Sequence, residues 1–169
     1  MKKFFLCMAV ALVAVCASAQ TTWNVRAGGG VEFTFDETYY GDGDDSWGTL
    51  ALAVEANIPF HTTSLFTFSP SLILQIPPMD DVDVYALTIP LHFGYKLPIG
   101  DKALFFPKIG PIVGIGIGGY HNYIIGPSAE LAIEGRHYVL SLNAYHSLAR
   151  SSYGRGVGSA ILLSLGYKF

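Results

Sequence analysis

The chain has 169 residues, 51% hydrophobic but only 14% charged, with a formal net charge of −3 and a mean hydropathy of +0.40. A soluble domain carries about a quarter charged residues, so this chain lacks the groups that keep a surface wet, while its hydrophobicity excludes intrinsic disorder. After residue 19 no apolar run approaches the ~20 residues of a membrane-spanning helix, and the acidic balance argues against nucleic acid as a partner.

The first segment reads as a removable address. Met1-Lys2-Lys3 is a basic start, Phe4 to Val15 an apolar stretch, and Ala17-Ser18-Ala19 a small-x-small cleavage pattern. This predicts a secretory signal peptide over 1–19 and a mature domain over 20–169. A lipid anchor on Cys16 is the rival, but Val15 occupies the preceding place, where a small residue is wanted. Cleavage removes both cysteines, Cys7 and Cys16, leaving no disulfide, thiol nucleophile or cysteine metal ligand. The mature chain has 150 residues and, without Lys2 and Lys3, a net charge of −5.

From there the apolar pattern has period two, which places alternate side chains on opposite faces of a strand. Trp23, Val25, Ala27, Val31 and Phe33 alternate with Asn24, Arg26, Gly28, Gly30 and Glu32 in a first strand. Leu50, Leu52, Val54, Ala56 and Ile58 oppose Thr49, Ala51, Ala53, Glu55 and Asn57 in a second, and Phe66, Phe68, Leu72 and Leu74 oppose Thr67, Ser69, Ser71 and Gln75 in a third. The fourth sets Tyr85, Leu87, Ile89, Leu91, Phe93 and Tyr95 against Ala86, Thr88, Pro90, His92, Gly94 and Lys96. The fifth sets Phe105, Ile109, Val113 and Ile115 against Lys108, Gly110, Gly114 and Gly116. Ala129, Leu131 and Ile133 oppose Ser128, Glu130 and Glu134; Tyr138, Leu140 and Leu142 oppose Val139, Ser141, Asn143 and Tyr145. An eighth strand sets Ile161, Leu163, Leu165, Tyr167 and Phe169 against Ala160, Ser164, Gly166 and Lys168.

Long polar connections at 36–46, 77–83, 119–124 and 149–156 alternate with short turns at 61–64, 98–102 and 135–136. Short turns on one side and long loops on the other, with eight alternating strands, predict an all-β, eight-stranded antiparallel up-and-down transmembrane β-barrel. A soluble ligand barrel would need a charged exterior and an apolar lumen; here the apolar face must meet lipid. Aromatics fall at two girdles: Trp23, Phe60, Tyr95, Phe105, Tyr138, Tyr167 and Phe169 near the short turns, and Phe35, Trp47, Tyr85 and Tyr120 near the long loops. The inward charges balance as a polar network, with Arg26, Lys96, Lys108 and Lys168 against Glu32, Glu55, Glu130 and Glu134. The long connections carry an excess of six negative charges.

Three motifs carry a family resemblance. Ile89-Pro90-Leu91 followed by Tyr95-Lys96, then Gly110-Pro111 with Gly114 and Gly116, and the ending Leu163-Ser164-Leu165-Gly166-Tyr167-Lys168-Phe169 stand in this order. They resemble the porin-like outer-membrane β-barrel domain family of Gram-negative bacteria over Val25 to Phe169. The resemblance implies location in the outer membrane, and the residues Leu163, Leu165, Tyr167 and Phe169 as the signal read by the barrel-assembly machinery. It implies architecture far more than activity.

Prolines at 59, 70, 90, 107 and 111 fall within or at the ends of strands, where a missing ladder donor predicts bulges or local irregularity. Asp42, Asp44 and Asp45 lack the spacing and terminal glutamate of a calcium loop, so no metal or cofactor is expected beyond loose ion bridging to lipopolysaccharide. His146-Ser147 invites a lipid-hydrolase reading, but adjacent strand residues point to opposite faces. The expectation is a non-enzymatic structural or surface-interaction protein in outer-membrane lipid with a largely filled lumen. The alternatives are a narrow diffusion channel for ions or small amphiphiles and, less favoured, a lipid-modifying enzyme.

Overall fold

In a computed structural model, which describes residues 21–34, 45–61, 64–76, 85–117, 122–148 and 158–169, the period-two segments pair side by side into one closed antiparallel sheet. The strands are β1 (Thr22–Thr34), β2 (Asp45–Pro59), β3 (Phe66–Ile76), β4 (Tyr85–Tyr95), β5 (Leu97–Ile99), β6 (Ala103–Ile117), β7 (Asn122–Glu134), β8 (Tyr138–His146) and β9 (Gly158–Lys168). β1 pairs with both β2 and β9, and the ring closes through β4 on β6. β5 continues β4 beyond Lys96 in the same register, as the pairs Gly94↔Lys108 and Leu97↔Phe105 require. Nine segments therefore make eight staves, as the alternation predicts.

Two boundaries differ from the sequence reading. The connection expected over 119–124 is shorter, because the β6–β7 ladder extends to Gly116↔Asn122. The turn expected over 98–102 tightens around Gly100, whose φ of 62° is a left-handed conformation that glycine adopts without strain. The segment 1–19 expected to be a signal peptide, the acidic segment 36–44, Phe35, Tyr120 and Arg150, and the side chains of Asp45 and Trp47, lie outside the described residues.

Of the five strand prolines, Pro59 and Pro107 keep their ladder pairs, while Pro70, Pro90 and Pro111 stand beside gaps in pairing that do not shift the register. The β2–β3 ladder skips two pairs between Glu55↔Ser71 and Ile58↔Phe68, beside Pro70. The β3–β4 and β4–β6 ladders skip likewise beside Pro90 and Pro111. Register is constant across each gap, so the irregularity is a missing bond and not an inserted residue. A bulge would move every later side chain to the other face and turn the lipid-facing set inward; losing a bond costs less.

Followed once round the barrel, the eight constant registers carry Asn24 to the level of Thr34, a shear of ten residues (34 − 24). Eight strands with that shear tilt by about 40° and leave an interior about one side-chain layer wide. The wall exposes Leu50, Leu52, Ile109, Leu131, Leu163 and Leu165, each at least half accessible, a surface suited to lipid and not to water. At the short-turn end the predicted girdle is dense. Phe60 stacks on Phe66 with ring centres 5.2 Å apart, Phe68 meets Phe93 at 5.0 Å, and Tyr167 contacts Tyr138, Phe169 and His137. At the long-loop end Tyr85 and Tyr123 are exposed.

Candidate functional site in the barrel lumen

The inward residues form three layers. The middle one is ionic. Arg26 on β1 and Glu55 on β2 stand on one wall, 2.9 Å apart; Lys108 on β6 and Glu130 on β7 stand on the facing wall, also paired, at 2.7 Å. Each then reaches across the lumen: Arg26 to Glu130, and Lys108 to Glu55 at 2.7 Å. The four charges make a closed square in which every neighbour is of opposite sign. All four side chains are at most 1% exposed.

Burial of a charge is tolerable only when its hydrogen-bonding capacity is met. Asn24 donates to Glu55 at 3.1 Å, and Arg26 donates to Ser141 Oγ at 2.6 Å, which in turn bonds Ser164. His92 bonds Ser128 through Nε2 at 2.8 Å, and its Nδ1 lies 3.7 Å from Glu130. Arg26 Nε and His92 Nδ1 are buried without a hydrogen-bond partner.

Toward the long loops the lumen is filled by Ile73, Ala86, Ile112, Tyr145 and Leu162, packed as one apolar cluster. Tyr145 Oη lies 3.0 Å from Gln75 Nε2 and 3.3 Å from Gln75 Oε1, spanning from β8 to β3. Tyr145→Phe strips the Gln75 amide of this partner and is expected to lower stability by about 1–3 kcal/mol, read as the shift in the urea midpoint of the detergent-solubilised barrel.

Toward the short turns lies the third layer. Phe106 is fully buried with Ala132 and Val139, and the Lys108 and Lys96 ammonium groups sit 4.8 and 4.9 Å from its ring centre. Glu134 Oε2 accepts from Lys96 at 3.1 Å and from Lys168 at 3.3 Å.

Of the eight inward charges expected from the sequence, the structure thus unites Arg26, Glu55, Lys108 and Glu130 in the square and Lys96, Glu134 and Lys168 in a second group. Glu32, nearer the long-loop end of β1, joins neither. Alternation of character does not mark the apolar plugs Ile73, Phe106, Ile112, Ile124 and Leu162 as inward; only their position parity, the same as that of Gln75, Lys108, Ser128 and Ser164, gives them away. Leu163, Leu165, Tyr167 and Phe169 all face outward and are exposed.

The hydrolase candidates separate as strand geometry demands. His146 is exposed on the outer wall, Ser147 is buried, and His146 Nδ1 instead meets its cross-strand neighbour Ser159 Oγ at 2.7 Å. Among the described residues no carboxylate orients that imidazole and no cluster of metal ligands occurs.

No protein-family model matches the chain, and no curated protein matches its sequence. Solved structures do match. Ail, the attachment invasion locus protein of Yersinia pestis, in complex with the heparin analogue sucrose octasulfate, aligns with a TM-score of 0.52 at 11% identity, over 88% of this chain and 99% of Ail. Neisserial surface protein A aligns with a TM-score of 0.58 at 10% identity, over 86% of this chain and 95% of its own. The likeness is one of fold: a closed, eight-stranded antiparallel β-barrel, the architecture that the strand alternation predicts.

Proposed function

We propose that this chain is an integral outer-membrane protein of a Gram-negative bacterium, non-enzymatic, that holds its long connections on the cell surface in a structural or surface-interaction role. The observation that carries the reading is the charge square bridging the lumen, with an apolar layer beyond it and Phe106 before it. Such an interior stabilises the wall and, among the described residues, fills much of an eight-stranded lumen. The C-terminal residues Leu163, Leu165, Tyr167 and Phe169 serve the barrel-assembly machinery in this reading, and the segment over 1–19 is the export signal.

Ail binds a polyanionic heparin analogue. The long connections here carry Asp36, Glu37, Asp42, Asp44, Asp45, Asp80, Asp81 and Asp83 against Arg150 and Arg155. Their sign favours a cationic partner, or divalent ions bridging to lipopolysaccharide, over a sulfated polysaccharide.

A narrow channel is the second reading. It is favoured by the polar atoms Asn57 Nδ2, Thr67 Oγ1, Ser71 Oγ, Thr88 Oγ1 and both amide atoms of Asn143, which are buried without protein partners and suit internal water. Planar-bilayer recording separates the two. The expected result for the purified barrel is no stable conductance step; reproducible steps whose size changes in Lys108→Gln or Glu55→Gln would establish the channel instead.

A further inference from the structure

A cavity of about 780 Å³ opens at the short-turn end, between the β5–β6 turn and the β7–β8 turn. It is lined by Pro98, Gly100 to Leu104 and Glu134 to Arg136. Leu104 and Glu134 are cross-strand neighbours on the lumen-facing set, so the cavity is a vestibule of the barrel mouth and not a groove in the lipid-facing wall.

Its charges are unequally satisfied. Glu134 is 1% exposed and spends Oε2 on Lys96 and Lys168, while its Oε1 is buried without a hydrogen-bond partner. Lys102 and Arg136 are exposed at the rim and take no ion-pair partner among the described residues; nor does Asp101. Of the charges lining the vestibule, Lys102 and Arg136 face Asp101 and Glu134; Lys96 and Lys168, which are not part of the lining, pair with Glu134 and more than neutralise it. The excess is positive, so an anion is drawn in. Glu134, already neutralised by two lysines, disfavours a further ammonium but still accepts a neutral N–H. Pro98, Ala103 and Leu104 add a small apolar wall.

We propose that the vestibule binds the carboxy-terminal end of a short peptide: carboxylate on Arg136 and Lys102, amide N–H toward Glu134, and a small side chain against Ala103 and Leu104. This rests on the outer-membrane reading proposed above, in which short turns face the periplasm, so the ligand is a periplasmic peptide end. A phospholipid headgroup supplies an anion too, but it is held at the outer wall, away from the lumen-facing set.

The test is titration of N-acetyl-Ala-Ala into the isotope-labelled, full barrel in zwitterionic micelles, following the amide signals of Gly100 and Gly135. Saturable shifts are expected, with affinity weakened about fivefold or more in Arg136→Gln, an exposed turn position whose heat-modifiable gel migration stays wild-type. N-acetyl-Ala-Ala-amide, which lacks the carboxylate, should not saturate. Equal binding of the capped peptide, absence of saturation, or an Arg136→Gln variant of unchanged affinity overturns the proposal. Glycerol 1-phosphate binding at the same residues as tightly as the peptide also overturns it, in favour of a lipid headgroup.

Discussion

Lys108→Met is expected to cost about 3–5 kcal/mol of stability, one of the two largest effects predicted for a substitution in this chain. The reason is not the lost attraction alone. Lys108 faces both Glu55 and Glu130 at 2.7 Å, and its removal leaves two buried carboxylates sharing a single guanidinium. Neutralising a second corner should restore balance. In Lys108→Met with Glu55→Gln, Arg26 keeps Glu130 on the far wall, and the glutamine amide still meets Asn24. The double variant is therefore expected to be more stable than Lys108→Met alone, although it has lost more ion pairs. Urea unfolding of the four proteins of this cycle in one detergent measures it. A double variant that loses the sum of the two single costs would show that the corners act independently and that the square is not a unit.

The square also marks how far the sequence speaks. Strand faces follow from the period of two because a membrane wall has one solvent on each side, and Arg26, Glu55, Lys108 and Glu130 are inward on that ground alone. That they meet is a consequence of the shear of ten residues, which no single strand encodes: it sets β1 and β2 across from β6 and β7 at one height. Counting inward charges as +4 and −4 hides this division. Seven of the eight sort into two groups, each closed by its own register. The apolar plugs are illegible for a different reason. Ile73, Ile112 and Leu162 are as hydrophobic as their lipid-facing neighbours, so character does not distinguish them and only parity does. The vestibule depends on two turns distant in sequence coming together at one rim. Pro70, Pro90 and Pro111 disturb the ladders in the form that preserves facing, whereas Pro59 and Pro107 pair without a gap.

Gly28→Ala combined with Gly30→Ala is expected to destabilise the closed barrel by about 2–6 kcal/mol, a substantial part of the 5–15 kcal/mol that holds a typical domain folded. Both glycines are inward residues of β1, opposite Ser164 and Leu162 of β9, at the seam where the first and last strands meet. A Cβ at Gly28 falls on the carbonyl oxygen of Leu163, and one at Gly30 on that of Ile161. The obstacles are backbone atoms, which cannot swing aside as a side chain tip would. In an ordinary strand, alanine in place of glycine gains about 0.5–1 kcal/mol from a less flexible unfolded chain; at this seam the steric cost exceeds that gain. Gly29, between them, faces lipid. Its added Cβ approaches Thr49 O at 3.1 Å and nothing closer, so Gly29→Ala is expected to be near neutral. Heat-modifiable gel migration after refolding into detergent reads the difference: the Gly28/Gly30 variant should remain largely in the unfolded band while Gly29→Ala folds like the parent. Because β1 and β9 are the most distant strands in the chain, their closure is the pairing with the largest loop entropy to overcome. A clash placed there should also slow refolding more than the same clash between neighbouring hairpin strands, such as Gly114→Ala, where Leu87 O stands 2.6 Å from the added carbon.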